Sequence, residues 1–462
     1  MSRISLNTTQ LIFLLQIQSA LLTLGVSFAA AVPVLDAVDN YFVNNKTGNR
    51  FQIVGVAYQP GGEAGYKPAQ KLDPLSNKDN CLRDAALLQI MGVNTIRVYN
   101  LDPNLNHDEC ASIFNAAGMY MLIDVNSPLV GEALTSFNPW ESYYAAYLNR
   151  TFAVVEAFKN YPNTLAFFSG NEVMNNPNTA KDVPPYSRAV TRDLKTYVAK
   201  HSTRHIPVGY SAADVREILS DSFNFFQCAE QGETNDMSRV DIFALNSYSW
   251  CGNSSFHDSG YETLVKDFTG SSVPVFYSEY GCNKVSPRVF TEVPTIYSSN
   301  MTGVFSGGVV YQYTQEDNNF GLVNISSNGS IALLPDFVTL RNQFAKLNFT
   351  QIQSDKRPSG PAPKPPVCNS NLITGMAFNS NFTLPVLPPN ASEIIEKGVT
   401  LPSVPKIVSI SDFTVKYTVT NVDGSIIPDL AVKKLADDQF NSRTSLLSYL
   451  SCLKHKNGHT FL

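Results

Sequence analysis

Two glutamates are the residues of this 462-residue chain whose positions best predict chemistry. Glu172 ends the apolar run 165–172, and Glu279 follows the apolar run 273–278. Runs of this length, bounded by glycine, proline and asparagine, are typical of buried strands. Carboxylates at the carboxyl ends of such strands lie where a (β/α)8 barrel holds its catalytic groups. The pair predicts glycoside chemistry, with one carboxylate as acid and base and the other as nucleophile. Two ordinary ion-paired acids are the alternative.

The distance between the two carboxyl groups decides the stereochemistry. A separation of about 5–5.5 Å predicts retention through a covalent glycosyl-enzyme, and about 6.5–9.5 Å predicts inversion. Two carboxyl groups this close should also split their pKa values, so that one stays protonated while the other is ionised. Asn171 precedes Glu172, and its amide is placed to bond the sugar 2-hydroxyl in the transition state.

Polar and aromatic residues recur where the other apolar runs end. Tyrosine offers an apolar ring face for a sugar and a hydroxyl for hydrogen bonding. Packing in the core or at the rim is the alternative for any single tyrosine. The candidates of this kind are Gln59, Tyr99, Asp124, Asn246, Tyr248, Tyr311 and Tyr313.

The elements that must position these residues alternate along the chain. Eight strand-like runs are predicted at 52–59, 94–100, 120–125, 165–172, 206–211, 241–248, 273–281 and 307–314. Helical spacing of apolar residues lies between them, at 79–91, 140–160, 186–201 and 335–347. Alternating strands and helices predict a parallel sheet, and eight repeats predict an α/β fold with a closed (β/α)8 barrel. An open doubly wound sheet is the alternative, but no Gly-X-Gly-X-X-Gly follows a strand.

Composition and the first residues predict export. Residues 1–31 have the pattern of a signal peptide: Arg3, an apolar stretch over 11–26, and a small-residue cleavage site. An uncleaved membrane anchor is the alternative. Nine Asn-X-Ser/Thr sequons follow, and seven cysteines occur without a Cys-X-X-Cys motif, as in proteins of an oxidising compartment. A net charge of −5 without a basic cluster argues against nucleic acid or an anionic membrane as partner.

The domain order follows from composition. We assign residues 32–350 to the barrel, the proline-rich stretch 351–366 to a linker, and 367–462 to a small β-rich appendage. No apolar stretch after the signal is long enough to span a membrane. The six histidines are scattered, and no residue grouping has metal-ligand spacing, so we expect neither a metal nor a cofactor.

Seven motifs together resemble one known family. They are VGVAYQPGG (54–62), NTIRVY (94–99), FSGNEV (168–173), VGYSAAD (208–214), NSYSWCG (246–252), FYSEYGC (276–282) and VYQYTQE (310–316). In type and order they resemble the fungal β-1,3-glucanosyltransferases of glycoside hydrolase family 72, over about residues 33–350. The resemblance implies that Glu172 is the acid/base and Glu279 the nucleophile.

The resemblance also implies substrate-binding residues. Gln59, Tyr99, Asp124, Asn171, Tyr248 and Tyr311 would line the donor and acceptor subsites, with Asn246 ending the sixth strand beside them. Asp214 and Arg216 are similar to acceptor-contacting residues of the family. Phe320 stands where the family usually has tyrosine, so it keeps a ring for stacking but lacks the hydroxyl.

The same resemblance pairs Cys81 with Cys110, Cys251 with Cys282, and Cys228 with Cys368, and it leaves Cys452 over. Six cysteines alone allow fifteen connectivities, so the pairing depends on the resemblance. The C-terminal region has too few cysteines for the glucan-binding module of some members. Its end is too polar for a glycosylphosphatidylinositol signal. We therefore expect release to the wall or medium, or a truncated sequence.

The resemblance implies a monomeric enzyme that uses β-1,3-glucan as both donor and acceptor. It would cleave an internal bond and transfer the new reducing end to the non-reducing end of another chain, at the cell wall or the outer face of the plasma membrane. A secreted retaining β-1,3-glucanase is one alternative. A non-catalytic glucan-binding protein is another, although a binder has no need of both carboxylates.

Overall fold

The computed structural model describes residues 32–357 and 359–442. The predicted signal peptide and Cys452 lie outside the described residues.

Eight parallel strands close into a barrel at the centre of the molecule. Strand β4 (Ile53–Tyr58) begins it, each following strand pairs with the next, and β11 (Phe305–Val310) pairs back onto β4. Nearly every strand residue is buried, because helices cover the outer face, and this produces the apolar runs of the sequence. The predicted (β/α)8 barrel is confirmed. Its strands are β4 (Ile53–Tyr58), β5 (Thr95–Val98), β6 (Tyr120–Asp124), β7 (Thr164–Asn171), β8 (Val208–Ala213), β9 (Ile242–Asn246), β10 (Val275–Tyr280) and β11 (Phe305–Val310).

Two small sheets lie outside the barrel. The first is an antiparallel sheet of β1 (Leu35–Val38), β2 (Tyr41–Asn44) and β3 (Arg50–Phe51), before the first barrel strand. The second joins β12 (Val323–Ile325) and β13 (Ile331–Leu333) to β14 (Val419–Thr420) of the C-terminal region. It therefore connects the C-terminal region to a hairpin that follows the barrel.

The helices agree with the predicted periodicity except in one segment. There, 140–160 forms two helices, Pro139–Ser142 and Ala145–Phe158, rather than one. The α-helices are α1 (Lys78–Met91), α2 (Asp108–Ala116), α3 (Pro139–Ser142), α4 (Ala145–Phe158), α5 (Val183–His201), α6 (Arg216–Gln227), α7 (Tyr261–Phe268), α8 (Glu292–Ile296), α9 (Pro335–Phe344), α10 (Phe349–Ile352) and α11 (Ala391–Lys397). Short 3-10 helices lie at Glu63–Gly65, Pro68–Gln70, Thr179–Lys181, Glu230–Gly232 and Ser370–Leu372. Within the described ranges, no helix combines the length and the apolar character needed to cross a membrane.

Residues 367–442, the C-terminal segment, run along the outside of the barrel, mostly as extended chain. Thr374 and Gly375 donate backbone N–H bonds to Asp221 on α6, at 2.9 and 2.8 Å. Further along, the backbone of Val399 bonds the Tyr197 hydroxyl and that of Val408 bonds Ser112 Oγ. The segment thus receives its conformation from helices of the barrel. The domain boundaries assigned above remain a prediction.

The first and last residues that the structure describes lie near each other, at the face of the barrel where its strands begin. Phe440 packs edge-on against Phe51, with ring centroids 5.1 Å apart. The buried Asn441 amide donates to the backbone carbonyl oxygens of Gln89 and Val93, at 3.0 and 2.8 Å. At the other end, the Val32 amide donates to Asn115 Oδ1 at 3.1 Å. Both ends therefore lie at the face where the barrel strands begin.

Surface chemistry and cysteine pairing agree with an exported protein. Disulfides join Cys81–Cys110, Cys228–Cys368 and Cys251–Cys282, the pairs that the resemblance implies. The asparagines of all nine sequons are exposed, as a glycosylated surface requires: Asn45, Asn149, Asn253, Asn300, Asn324, Asn328, Asn348, Asn381 and Asn390.

The Cys228–Cys368 bridge should contribute more stability than the Cys81–Cys110 bridge. The first closes a sequence separation of 140 residues and the second one of 29. The chain-entropy relation gives upper values of about 5 and about 4 kcal/mol, respectively. We expect Cys228→Ser/Cys368→Ser to lower the free energy of unfolding more than Cys81→Ser/Cys110→Ser, measured by denaturant titration. The opposite order would show that the C-terminal segment is not held through this bridge.

Glu292 should make stability depend on pH. Burial raises the pKa of Glu292 to about 7, while its own backbone amide and Arg288 act in the opposite direction. Arg288 donates its Nε bond instead to Asp336, at 2.6 Å. Because the folded state holds this proton more tightly than an unfolded chain does, stability is lost as the pH rises from about 4.5 to about 7.

The test of this coupling is Glu292→Gln. Above about pH 7 the variant should be more stable than the parent, by up to about 3 kcal/mol, and near pH 4 the two should be equal. Thermal melts across this pH range measure the difference, with the exposed Glu393→Gln as control. A constant difference at all pH values would contradict the assignment.

Candidate active site

A cleft of about 540 Å³ opens at the carboxyl ends of the barrel strands. This is the face where (β/α)8 enzymes hold their reactive groups. Seven of the predicted site residues line the cleft: Gln59, Tyr99, Asp124, Asn171, Glu172, Glu279 and Tyr311.

Glu279 lies near the end of β10 and is 7% exposed. Tyr99 donates its hydroxyl to Oε1 at 2.8 Å, and Tyr248 donates its hydroxyl to Oε2 at 2.7 Å. Arg97 adds a third donor, with Nη1 3.2 Å from Oε1. Donors on both oxygens fix the rotation of the carboxylate.

Opposing effects act on the ionisation of Glu279. Burial raises the pKa of its carboxyl group above the ordinary value, and the nearby Glu172 acts in the same direction. Arg97 and the hydroxyls of Tyr248 and Tyr99 lower it, and the net direction is upward. As the pH falls, Glu279 therefore takes up a proton at a higher pH than an exposed glutamate does. Any role that needs its ionised form is lost at that higher pH.

Glu172 has a different environment. It follows β7 with a backbone φ of 49°, in the left-handed region that non-glycine residues seldom adopt. Its amide donates to the Ser211 carbonyl at 2.9 Å, which holds this conformation. The side chain is half-buried, and Asn246 Nδ2 donates to Oε1 at 2.8 Å. Strained backbone of this kind concentrates at functional sites.

Arg97 connects the two sides of the cleft and is fully buried on β5. Its Nε and Nη2 bind the two oxygens of Asp124 at 2.8 and 2.9 Å, a two-pronged contact that only arginine makes. Nη2 also donates to Asn171 Oδ1 at 2.9 Å, so this one guanidinium on β5 orients residues on β6, β7 and β10. This role of Arg97 was not predicted from the sequence. The signal was a charged residue inside an otherwise apolar strand, two positions before Tyr99 and on the same face.

Two serines that were not predicted as site residues fix the orientation of the amides. Ser278 Oγ donates to Asn246 Oδ1 at 2.7 Å, so the Nδ2 group of Asn246 is the one that faces Glu172. Ser211 Oγ donates to Asn171 Oδ1 at 2.8 Å. Their own sequence contexts gave no signal, because the roles arise only when β8, β9 and β10 are neighbours.

An aromatic cluster stands beside Glu279. The rings of Tyr248 and Tyr311 lie 6.3 Å apart, and Phe320 lies 5.4 Å from Tyr248 and 5.3 Å from Tyr311. Arg288 Nη2 donates to the Phe320 carbonyl at 2.5 Å and holds this loop in place. The cluster offers ring faces at the cleft, and Phe320 contributes a ring without a hydroxyl.

Six predicted residues are not part of the cleft lining. Asn246, Tyr248 and Phe320 contact residues that line it. The other three are Asp214, Arg216 and Tyr313. Asp214 and Arg216 pair with each other, with Arg216 Nη2 3.0 Å from Asp214 Oδ2, and Ser247 Oγ donates to Asp214 at 2.6 Å. This pair lies beside the loop that carries Tyr248, at the same end of the barrel. Tyr313 is buried and donates to Asp84 at 2.7 Å, so it is a core residue.

Comparisons with known proteins identify the family of the chain. The family model described as Glucanosyltransferase, that of glycoside hydrolase family 72, matches residues 24–348. The chain is 50% identical to 1,3-beta-glucanosyltransferase gel2 of Aspergillus fumigatus, over 92% of this chain and 87% of that protein. It is 43% identical to the probable 1,3-beta-glucanosyltransferase GAS3 of Saccharomyces cerevisiae, over 82% and 74%.

Solved structures are similar as well. A glutamate-to-glutamine mutant of Saccharomyces cerevisiae Gas2p, in complex with laminaritetraose and laminaripentaose, matches with a TM-score of 0.65 and 35% identity. The match covers 78% of this chain and 76% of that one. The family model covers every strand of the barrel, and the match to gel2 extends into the C-terminal segment. The chain therefore belongs to the glucanosyltransferases of glycoside hydrolase family 72.

Proposed function

We propose that this glucanosyltransferase cleaves an internal β-1,3-glucan bond with retention, through a glycosyl-enzyme on Glu279, and transfers the glycosyl group to a second glucan chain. The observation that carries the assignment is the unequal setting of the two carboxylates. Glu279 is buried, and three donors orient it. Glu172 is half-buried, and within residues 32–357 and 359–442 its side chain accepts a hydrogen bond from Asn246 alone. The first setting suits a nucleophile and the second an acid that must meet a sugar oxygen.

In the first step, the bridging oxygen of the scissile bond takes a proton from Glu172 as the carbon–oxygen bond breaks. A carboxylate oxygen of Glu279 bonds to the anomeric carbon, and the chain with the new non-reducing end leaves. In the second step, Glu172 removes a proton from an acceptor hydroxyl, which attacks the anomeric carbon and releases Glu279. Two inversions at one carbon give overall retention.

Amide groups of the cleft are placed for hydroxyls of the sugar. Asn171 Oδ1 accepts from Arg97, Ser211 and Asn246, which leaves its NH2 group for a substrate oxygen. The Nε2 group of Gln59 is buried in the cleft without a protein acceptor. Substrate hydroxyls would satisfy both groups, and a bond to the 2-hydroxyl would strengthen in the transition state.

Transfer requires that an acceptor sugar reach the glycosyl-enzyme before water does. The rings of Tyr248, Tyr311 and Phe320 provide faces on which an acceptor can stack. Holding the acceptor hydroxyl beside the anomeric carbon raises its effective concentration far above that of a free sugar.

The test is to incubate the purified protein with a reduced-end β-1,3-gluco-oligosaccharide and size the products. Products longer than the starting chain are expected. Exclusively shorter products would make the protein a glucanase, and an unchanged substrate would make it a binding protein.

Tyr248→Phe should weaken transfer and shift its pH dependence. Losing a hydrogen bond to a carboxylate should lower kcat about 10- to 100-fold. Because this hydroxyl lowers the pKa of Glu279, its removal raises that pKa further, and the acid limb of kcat/KM should move to higher pH. Product ratios and pH–rate profiles measure both effects. Tyr120→Phe is the control, because its hydroxyl bonds the Pro33 carbonyl at the other end of the barrel. An unaltered product ratio and profile would remove Tyr248 from the site.

We also infer that the enzyme acts outside the cell, at the glucan of the wall, as a monomer. Three disulfides and nine exposed sequons support export.

A further inference from the structure

The loop of residues 127–144, which lies between β6 and α4 and includes the short helix α3, joins the cleft to an exposed apolar surface. Ser127, Pro128, Ala133 and Leu134 of this loop line the cleft. The same loop exposes Leu129, Val130, Phe137, Trp140 and Tyr144, with exposed fractions of 43, 104, 69, 50 and 38%. Among residues 32–357 and 359–442, the exposed large aromatic side chains all lie in this loop. Clustered apolar exposure of this kind marks a binding surface.

The loop is held rigidly at its base. Glu132 accepts from Arg150 Nη2 at 3.0 Å, from the Tyr66 hydroxyl at 3.1 Å and from Ser127 Oγ. Further along, the Thr135 amide donates to Ser142 Oγ at 2.9 Å. These bonds fix the backbone, so the exposed side chains are presented without a large ordering cost on binding.

The tip of the loop and Tyr144 form one surface. A Cβ atom on Gly131 would lie only 2.7 Å from the Tyr144 hydroxyl oxygen, so this hydroxyl stands directly over the Gly131 backbone. Gly131 has a φ of +84°, which also favours glycine. The Tyr144 hydroxyl therefore contacts the turn that carries Leu129 and Val130.

The charge of the loop selects among ligands. Residues 127–144 contain two glutamates and no lysine or arginine, and Glu132 is engaged by Arg150. A polyanion or an anionic membrane would meet no cation here. A neutral polysaccharide has no such need, and its C–H faces stack on aromatic rings.

We infer that this loop is an aromatic platform that binds sugars of a β-1,3-glucan chain beyond those held beside Glu172 and Glu279. The inference rests on the proposed function, because it takes the chain in the cleft to be glucan. The loop lines the cleft and carries the exposed rings, so a chain leaving the cleft over it would meet them. The enzyme would then favour long chains over short ones.

Trp140 offers a direct readout. The chain has two tryptophans, and Trp250 is buried, with Nε1 bonded to Thr291 Oγ1 at 2.9 Å. In a Glu172→Gln background, which stops turnover, long β-1,3-gluco-oligosaccharides should shift the Trp140 emission and short ones should not. Adding Trp140→Phe should abolish the shift, because the remaining tryptophan is buried.

Kinetics provide the second measurement. In the otherwise native enzyme, Phe137→Ala and Trp140→Ala should raise KM for long glucan acceptors about three- to tenfold each. Neither kcat nor KM for short oligosaccharides should change. Val404→Ala, at an exposed apolar residue outside the loop, is the matched control.

The outcomes separate this inference from the proposed function. Normal transfer with equal KM changes for long and short chains, or with none, would overturn the platform alone. An emission shift with short chains as well would place Trp140 within the cleft and not beyond it. An emission shift with lipid vesicles or with protein concentration, and not with glucan, would make the occupant a membrane or a second copy. An enzyme inactive on every glucan would instead overturn the proposed function.

Discussion

Glu172→Ala and Glu279→Ala are expected to lose transfer in chemically different ways. Without Glu172 the leaving oxygen receives no proton, so kcat on glucan should fall about 10²- to 10⁴-fold. A donor with a dinitrophenyl leaving group needs no proton, and its first step should proceed at a near-normal rate. Without Glu279 no glycosyl-enzyme can form, so both donors should fail.

Azide should distinguish the two roles by stereochemistry. In Glu172→Ala, azide attacks the glycosyl-enzyme and needs no base, so the product should be the β-glycosyl azide. In Glu279→Ala, azide enters from the side that the carboxylate occupied, so the product should be the α-glycosyl azide. Proton NMR of the product reads the anomer.

The controls keep this result interpretable. Glu172→Gln and Glu279→Gln preserve side-chain volume and should melt as cooperatively as the parent. Glu217→Gln, on the exposed first turn of α6, should retain full activity. A near-normal rate on glucan in either alanine variant, or the same anomer from both, would refute the assigned roles.

Arg97→Lys is expected to have the second-largest effect. Lysine keeps the charge, but it cannot bind both oxygens of Asp124 while also reaching Asn171 and Glu279. Loss of one preorganised donor costs about 10²- to 10³-fold in kcat, and we expect a fall of this size. The charge of Arg97 lowers the pKa of Glu279. A lysine ammonium that stays with Asp124 lies farther from Glu279, so the acid limb of kcat/KM should also move to higher pH.

If Arg97 only supported the fold, Arg97→Lys would lower the stability of the protein without shifting the acid limb of kcat/KM. Arg188→Lys tests this, because Arg188 is equally buried and pairs with Asp236 at 2.9 Å, away from the cleft. It should destabilise the fold and leave the acid limb in place. If Arg97→Lys behaves as Arg188→Lys does, then Arg97 only supports the fold.

The sequence predicted the barrel well because its strands are buried on both faces. Each strand is an apolar run flanked by turn residues, so predicted and observed limits differ by at most four residues. Strands β1 to β3, β12 and β13 were not predicted because they have two to four residues each. The C-terminal segment has little periodicity of its own. Its conformation comes from contacts such as that of Thr374 with Asp221, which sequence does not reveal.

The sequence predicted those site residues whose positions depend only on the topology of the barrel. Glu172, Glu279, Tyr99 and Asp124 end their strands, and parallel strands of a barrel bring such ends together. The rule was wrong for Tyr313. Strand β11 ends at Val310, so the alternation of side chains between the two faces of the strand does not continue as far as Tyr313. Arg97 belongs to the site but was not predicted to do so. It lies inside a strand, and only the neighbouring strands reveal what its five donors meet.

The shared position of the two chain ends has a consequence for how the enzyme can be attached. Val32 and Asn441 both lie where the barrel strands begin, and the cleft lies where they end. Whatever the chain carries before residue 32 or after residue 442 therefore starts from the far side of the barrel. A tether or fused module at either terminus would leave the cleft facing away from its attachment point, open to polymer that arrives from outside.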